Sequence, residues 1–138
     1  FFILEKLKFD LFEMDIGGRF ESVNLKTSTL ERGFFPISLS STIKKEFTAN
    51  NSAFLGFDFT QRAPNAIELF ANGPHHAVEN FETGDSNLDV ETSYNVSLGY
   101  NYGEDLNNLK IETYYNYISD FIATDRETTT TANGKEKN

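Results

Sequence analysis

The stretch "TSYNVSLGYNYGEDLNNLKIETYYNYISDFI" (Thr92–Ile122) decides the fold. In its first half Thr92, Tyr94, Val96, Leu98, Tyr100 and Tyr102 alternate with Ser93, Asn95, Ser97, Gly99 and Asn101. In its second half Leu109, Ile111, Thr113, Tyr115 and Tyr117 alternate with Lys110, Glu112, Tyr114, Asn116 and Ile118. Successive side chains of a strand point to opposite faces, so a period of two over this length means two strands, each with one apolar and one polar face. The turn GEDLNN between them is short enough to make the pair an antiparallel hairpin.

The same signature recurs upstream. After Phe1–Phe9 and a turn at Asp10–Phe12, "EMDIGGRFESV" places Met14, Ile16, Gly18 and Phe20 opposite Asp15, Gly17, Arg19 and Glu21. "FFPISLSSTIKKEF" alternates Ile37, Leu39, Ser41 and Ile43 with Ser38, Ser40, Thr42 and Lys44. "SAFLGFDFTQ" sets Ala53, Leu55, Phe57 and Phe59 against Phe54, Gly56, Asp58 and Thr60. The paired glycines of "DIGGRF" sit inside a strand pattern and mark close backbone packing or a bulge. Six strands result. Short turns (Asp10–Phe12, Thr48–Asn51, Gly103–Asn108) alternate with long polar connections (Asn24–Phe35, Arg62–Val90 and Ala123 onward), and the tail 123–138 reads as a polar loop without regular structure.

In an up-and-down antiparallel sheet every second connection lies at the same end, so the long connections fall at one end and the short turns at the other. Outer-membrane barrels have this asymmetry, with strands alternating apolar-out and polar-in. A soluble antiparallel sandwich with one wet face satisfies the alternation as well, and would make the chain a binding or adhesion module.

Composition narrows the function classes. The chain has 138 residues, a mean hydropathy of −0.44, 14 Phe, 6 Tyr and no Cys. Without cysteine there is no disulfide framework, thiolate metal site or thiol nucleophile. The longest apolar run is far too short for a membrane helix. The opening Phe1-Phe2-Ile3-Leu4, without an initiator Met or leader pattern, reads as an excised or mature piece. The formal charge is −9. Residues 1–50 carry seven Lys/Arg against seven Asp/Glu and residues 51–138 five against fourteen, so the whole excess lies in the second part. Nucleic acid, which needs a basic patch, is not an expected partner. No enzyme signature is present: "HHAVE" is not H-E-x-x-H, and there is no G-x-S-x-G.

The longest connection is itself patterned. Pro64, Asn65 as N-cap, Glu68 at the third helical position and Asn72-Gly73-Pro74 start and stop a helix over Ala66–Ala71, with Ile67 and Phe70 on one side. This loop, 62–90, is therefore folded. Arg62 can brace it through Glu68 or Glu91.

The run "RAPNAIELFANGPHHAVENFETGDSNLDVETSYNVSLGY" closely resembles the R-A-P, E-L-F, G-P-H and G-N-x-x-L-x-x-E-x-S-x-x-x-E-x-G segment of TonB-dependent outer-membrane receptors. The flanking hairpin arms extend the likeness over most of residues 1–122. Asp85-Ser86, Val90 and Ser97 depart from the usual pattern. The resemblance implies a 22-stranded barrel in the bacterial outer membrane, filled by a plug that meets an energy-coupling periplasmic protein. Six strands do not close such a barrel. The expected fold is all-β, an antiparallel up-and-down meander contributing about six strands (1–122) to a larger transmembrane β-barrel, with lipid and a nutrient ligand as partners. Met14, Ile16, Phe20, Leu55, Phe57, Val96, Leu98 and Ile111 are then expected to face lipid, and Asp15, Arg19, Glu21, Asn95 and Glu112 the lumen.

Receptors of this family take up ferric siderophores, haem, cobalamin or metal ions, and G-P-H after E-L-F is similar to zinc-scavenging members. His75 and His76 are the only histidines, and Glu79, Glu82 and Asp85 lie close by in sequence. Imidazole is the commonest nitrogen ligand of zinc, and carboxylates complete such sites. Adjacent residues in extended backbone point apart, so one ion takes one of the two histidines unless the chain kinks. No resident cofactor is expected; zinc enters as cargo.

Overall fold

The computed structural model describes residues 1–75, 80–104 and 107–123, together with 129–130 and 136–137. In chain order the first elements are β1 (Phe2–Lys8), β2 (Glu13–Phe20), β3 (Val23–Lys26), β4 (Glu31–Phe34), β5 (Ile37–Thr48) and β6 (Asn51–Arg62). Helix α1 (Ala66–Phe70), β7 (Asn72–His75), β8 (Asn80–Thr83), β9 (Glu91–Glu104), β10 (Asn107–Ser119), β11 (Thr129–Thr130) and β12 (Glu136–Lys137) follow. Strands β1, β2, β5, β6, β9 and β10 form one sheet in that spatial order, and every neighbouring pair is antiparallel. This is the all-β meander that the period-two pattern calls for.

Residues directly opposite one another in an antiparallel ladder project to the same face. One row therefore joins Ile16, Ser41, Phe57, Val96 and Tyr115, and the next but one joins Met14, Ile43, Leu55, Leu98 and Thr113. The intervening row holds Asp15, Thr42, Gly56, Ser97 and Tyr114. The apolar set thus shares one face across β2, β5, β6, β9 and β10 and the polar set the other, whereas β1 is mixed, with Glu5 opposite Ile16 and Leu4 opposite Gly17. The register runs unbroken through Gly17 and Gly18, so there is no bulge there. Near the short turns the polar face carries ion pairs, Lys8–Glu13 at 3.1 Å, Lys44–Glu46 at 2.8 Å and Lys110–Glu112 at 3.3 Å.

Nothing among the described residues covers the apolar face. Leu55 is 50% exposed, Leu98 52% and Ile111 56%, whereas a sandwich would bury them against a second sheet. A continuous apolar face of this size is far larger than soluble proteins leave in contact with water, and it has the character that a lipid-facing barrel wall requires.

The ladder also fixes how the strands lean. The row through Lys8 and Glu13 passes through Lys44, Phe54 and Gly99 to Glu112. Projected on β9, the turn pairs Phe9/Phe12, Thr48/Asn51 and Glu104/Asn107 then fall at Tyr100, Tyr102 and Glu104, a step of two residues per hairpin. Two residues are roughly 6.6 Å along a strand, against roughly 9.6 Å for two interstrand spacings. The turns become level when the strands tilt by about 35°, the lower end of the outer-membrane range. At that tilt Tyr94 and Tyr102, eight residues apart on the apolar face of β9, stand roughly 22 Å apart in height, close to the ~25 Å apolar band between aromatic girdles. Tyr94 lies against Phe59 (5.3 Å between centroids) and Tyr117 (6.3 Å), which begins one such girdle.

The buried side chains sit at the long-loop end. Phe34, Pro64 and Leu69 are buried, none of them in the six-stranded sheet, and Thr92 is buried at the start of β9. Two of the long connections are more ordered than the sequence suggests. Within Asn24–Phe35, β3 and β4 form a hairpin whose turn is held by Thr27, its Oγ1 accepting from Leu30 N at 3.0 Å. Within Arg62–Val90, β7 pairs with β8. The tail is likewise not wholly irregular, since β11 pairs with β12.

Candidate functional site

Outer-membrane barrels keep their short turns on the periplasmic side and their long loops outside, which puts the loop 62–90 at the outer mouth. It begins on a helix of barely more than one turn, too short to persist without help. Help comes from both ends. Asn65 Oδ1 accepts from Ile67 N and Glu68 N, each at 2.9 Å, and Glu68 Oε2 accepts from Asn65 N at 2.7 Å, a reciprocal capping box. At the other end the chain returning from β8 supplies donors: Gly84 N reaches Ala71 O at 2.7 Å and Asp85 N reaches Glu68 O at 2.8 Å. A Cβ on Gly84 would lie 2.6 Å from the Leu69 carbonyl carbon and 2.7 Å from Phe70 N, so only glycine permits this approach. The helix turns Leu69 inward, 2% exposed, while Ile67 is 62% exposed. The sequence reading placed Ile67 and Phe70 on one side of the helix and did not single out Leu69 as the buried residue. Asn72-Gly73-Pro74 does not form a separate stop either. The helix ends at Ala71 in extended backbone and β7 begins at once, and a Cβ on Gly73 would meet open space.

Two arginines tie this loop down. Arg62, the last residue of β6, pairs with Glu68 (Nη1–Oε2 3.1 Å) and with Glu91 (Nη2–Oε2 3.3 Å). Glu91 Oε2 also accepts from Ile122 N at 3.0 Å, so one carboxylate joins the start of β9 to the chain leaving β10. These groups lie three residues beyond Phe59 and Tyr94, roughly 8 Å outside the aromatic girdle. The Ile122 amide, and after it the Arg62 guanidinium, hold the Glu91 carboxyl below its usual range. The second arginine, Arg32 on β4, belongs to the preceding loop. Its Nη1 donates to Ser86 O, its Nη2 donates to Leu88 O at 2.9 Å, and its guanidinium lies 5.2 Å from the Phe34 ring centroid.

The sequence-derived metal candidates are distributed as follows. His75 closes β7, with Asn80 as its backbone partner, and Glu82 on β8 stands opposite Gly73. Asp85 follows β8 and caps a turn, its Oδ1 accepting from Asn87 N at 2.8 Å. His76 and Glu79 lie outside the described residues. Among the described residues no three His, Asp or Glu side chains converge into a metal cluster. Glu21, expected on the lumen side, lies beyond the end of β2 and pairs with Arg19. Arg32, Leu69 and Gly84 were not among the sequence candidates. Gly84, between Thr83 and Asp85, at least carries a turn signal; the backbone carbonyls that Arg32 selects carry none.

A tilted antiparallel sheet with an apolar outer face, a charged inner face and folded loops at one end defines a segment of a transmembrane β-barrel. Residues 1–138 match the family described as TonB dependent receptor-like, beta-barrel, and the chain belongs to that family. It therefore contributes barrel strands to a transport receptor of the bacterial outer membrane. No solved structure matches it.

Proposed function

We propose that this receptor takes up a scarce metal, zinc as the free ion before a metal complex such as a ferric siderophore, and that the β7–β8 hairpin at the outer mouth makes first contact with it. The observation that carries the reading is the nearness in sequence of both histidines to the densest acids of the chain. From Arg62 to Glu91 there is one basic residue against six acidic ones, and the register sets His75 two positions from the Gly73–Glu82 pair. Carboxylates lower the local potential for any cation, and imidazole adds preference for zinc over magnesium and calcium. In this reading His75 or His76 supplies the nitrogen ligand, with Glu79, Glu82 or the second oxygen of Asp85 completing the set. Uptake is driven from the periplasm through a plug inside the barrel, as the family suggests.

The test is calorimetry of ZnCl2 with the intact receptor and with the His75→Ala, His76→Ala double variant. Affinity should fall in the variant, and in the parent it should weaken below about pH 6, where protonated imidazole cannot ligate. Unchanged affinity removes the histidines from the site and makes an organic metal complex the better cargo.

A further inference from the structure

We propose that Arg32 is a positioning residue that makes two neighbouring outer loops, 21–36 and the described residues 63–75 and 80–90 of the next, one rigid body at the receptor mouth. This goes beyond the metal reading and does not depend on what is bound. The two loops come from different hairpins, and the sheet by itself fixes only their roots, Phe20 and Ile37 for one and Arg62 and Glu91 for the other. Between the roots each loop has its own small sheet, β3–β4 and β7–β8, and among the described residues no ladder joins them. Arg32 crosses this gap. Its two terminal nitrogens go to two carbonyls, Ser86 and Leu88, more than fifty positions away in sequence. A planar guanidinium satisfies such a pair as a fork, which fixes direction as well as distance. The stem of the fork is fixed in turn, since the guanidinium lies over the buried Phe34 two residues along β4.

The acceptors are placed to matter. Ser86 and Leu88 follow directly on Gly84 and Asp85, whose amides cap α1, and the backbone turn at 85–88 is closed by Leu88 N to Asp85 O at 3.3 Å. Holding Ser86 and Leu88 therefore holds the return strand of the β7–β8 hairpin relative to β4. Arg62 ties the other root of the same loop to Glu91. The loop is thus anchored to its own barrel strands by one arginine and to its neighbour by the other, so displacement of either loop is transmitted to the other.

The chain has no cysteine, so introduced ones are unique within it. Spin labels at Ser28, in the β3–β4 turn, and at exposed Ile67, on α1, report the inter-loop distance in the ligand-free full receptor. The parent should give one narrow distance distribution. Arg32→Gln should lose it and gain a broader, longer population, and Arg32→Lys, which keeps the charge over Phe34 but lacks the planar fork, should do the same. Lys26→Gln removes a charge from the same hairpin, where Lys26 pairs with Glu31 beside the turn, and should leave the distribution narrow. Heat-modifiable migration of each variant shows that the barrel has folded. An unchanged distribution in Arg32→Gln, parental behaviour of Arg32→Lys, or equal broadening in Lys26→Gln would overturn the proposal.

Discussion

Leu98 is the residue at which the membrane reading makes its largest energetic claim. It lies on the apolar face of β9, four residues from Tyr94 and four from Tyr102, which at the strand tilt of about 35° is roughly 11 Å from each girdle and so near the bilayer midplane. An arginine on the lipid face costs about 2–4 kcal/mol at the midplane and about 0–1 kcal/mol near an interface. Leu98→Arg should therefore lower the folding equilibrium constant of the full receptor by about 30- to 700-fold, at about 1.4 kcal/mol per tenfold. Leu109, in the row of Tyr102 on the same face, lies at the inner girdle, and Leu109→Arg should cost under about 1 kcal/mol. Asn95→Arg places the same side chain on the wet face of the same strand and should cost little. The assay is the folded fraction in lipid vesicles as a function of urea. Equal costs at Leu98 and Leu109, or a cost at Asn95 as large as at Leu98, would refute the assignment of faces and of depth together.

Three further outcomes concern the mouth. Gly84→Ala forces a Cβ to within 2.6–2.8 Å of the α1 backbone and should destabilise the loop by about 1–3 kcal/mol, read as faster amide exchange at Leu69 and Ala71 while the six-stranded sheet is unaffected. Asn65→Ala removes the acceptor for two α1 amides and should cost about 1 kcal/mol, again confined to the loop and seen as protease sensitivity around α1. Acid should release the Arg62–Glu91–Ile122 junction: because the folded carboxyl titrates lower than the unfolded one, its stabilisation is complete above the ordinary carboxylate range and is lost as pH falls through the lowered folded value. Exchange of the Ile122 amide against pH should show this loss, and Glu91→Gln should abolish the pH dependence.

How much of this was legible in sequence depends on the length of each pattern. Five of the six long strands alternate over eight to fourteen residues, which fixes both their existence and their faces, and the register keeps Met14, Ile16, Phe20, Leu55, Phe57, Val96, Leu98 and Ile111 together; β1, FILEKLK, has no such alternation and only its existence was legible. The helix start was legible because Asn65 and Glu68 are spaced as a capping box. Its packed side was not: five residues hold too little of a 3.6-residue period to distinguish Leu69 from Ile67 or Phe70. The β3–β4 hairpin escapes for the same reason, with Val23 and Leu25 the only apolar residues in a four-residue strand. In β7 the Gly73-Pro74 pair reads as a breaker, yet the strand forms with Gly73 opposite Glu82 in an isolated two-stranded ribbon. The histidine-acid cluster was visible only as proximity along the chain, which fixes neither a ligand set nor a geometry.

The central claim, that one face of this sheet meets lipid and the other a wet lumen, is tested most directly by single spin labels at successive positions from Ser93 to Asn101 in the full receptor in lipid vesicles. Collision with oxygen should peak at positions 94, 96, 98 and 100, and collision with a water-soluble nickel complex at 93, 95, 97, 99 and 101, with a period of two throughout. Nickel access at 94, 96, 98 and 100 equal to that at their neighbours, or oxygen access without any alternation, would contradict it.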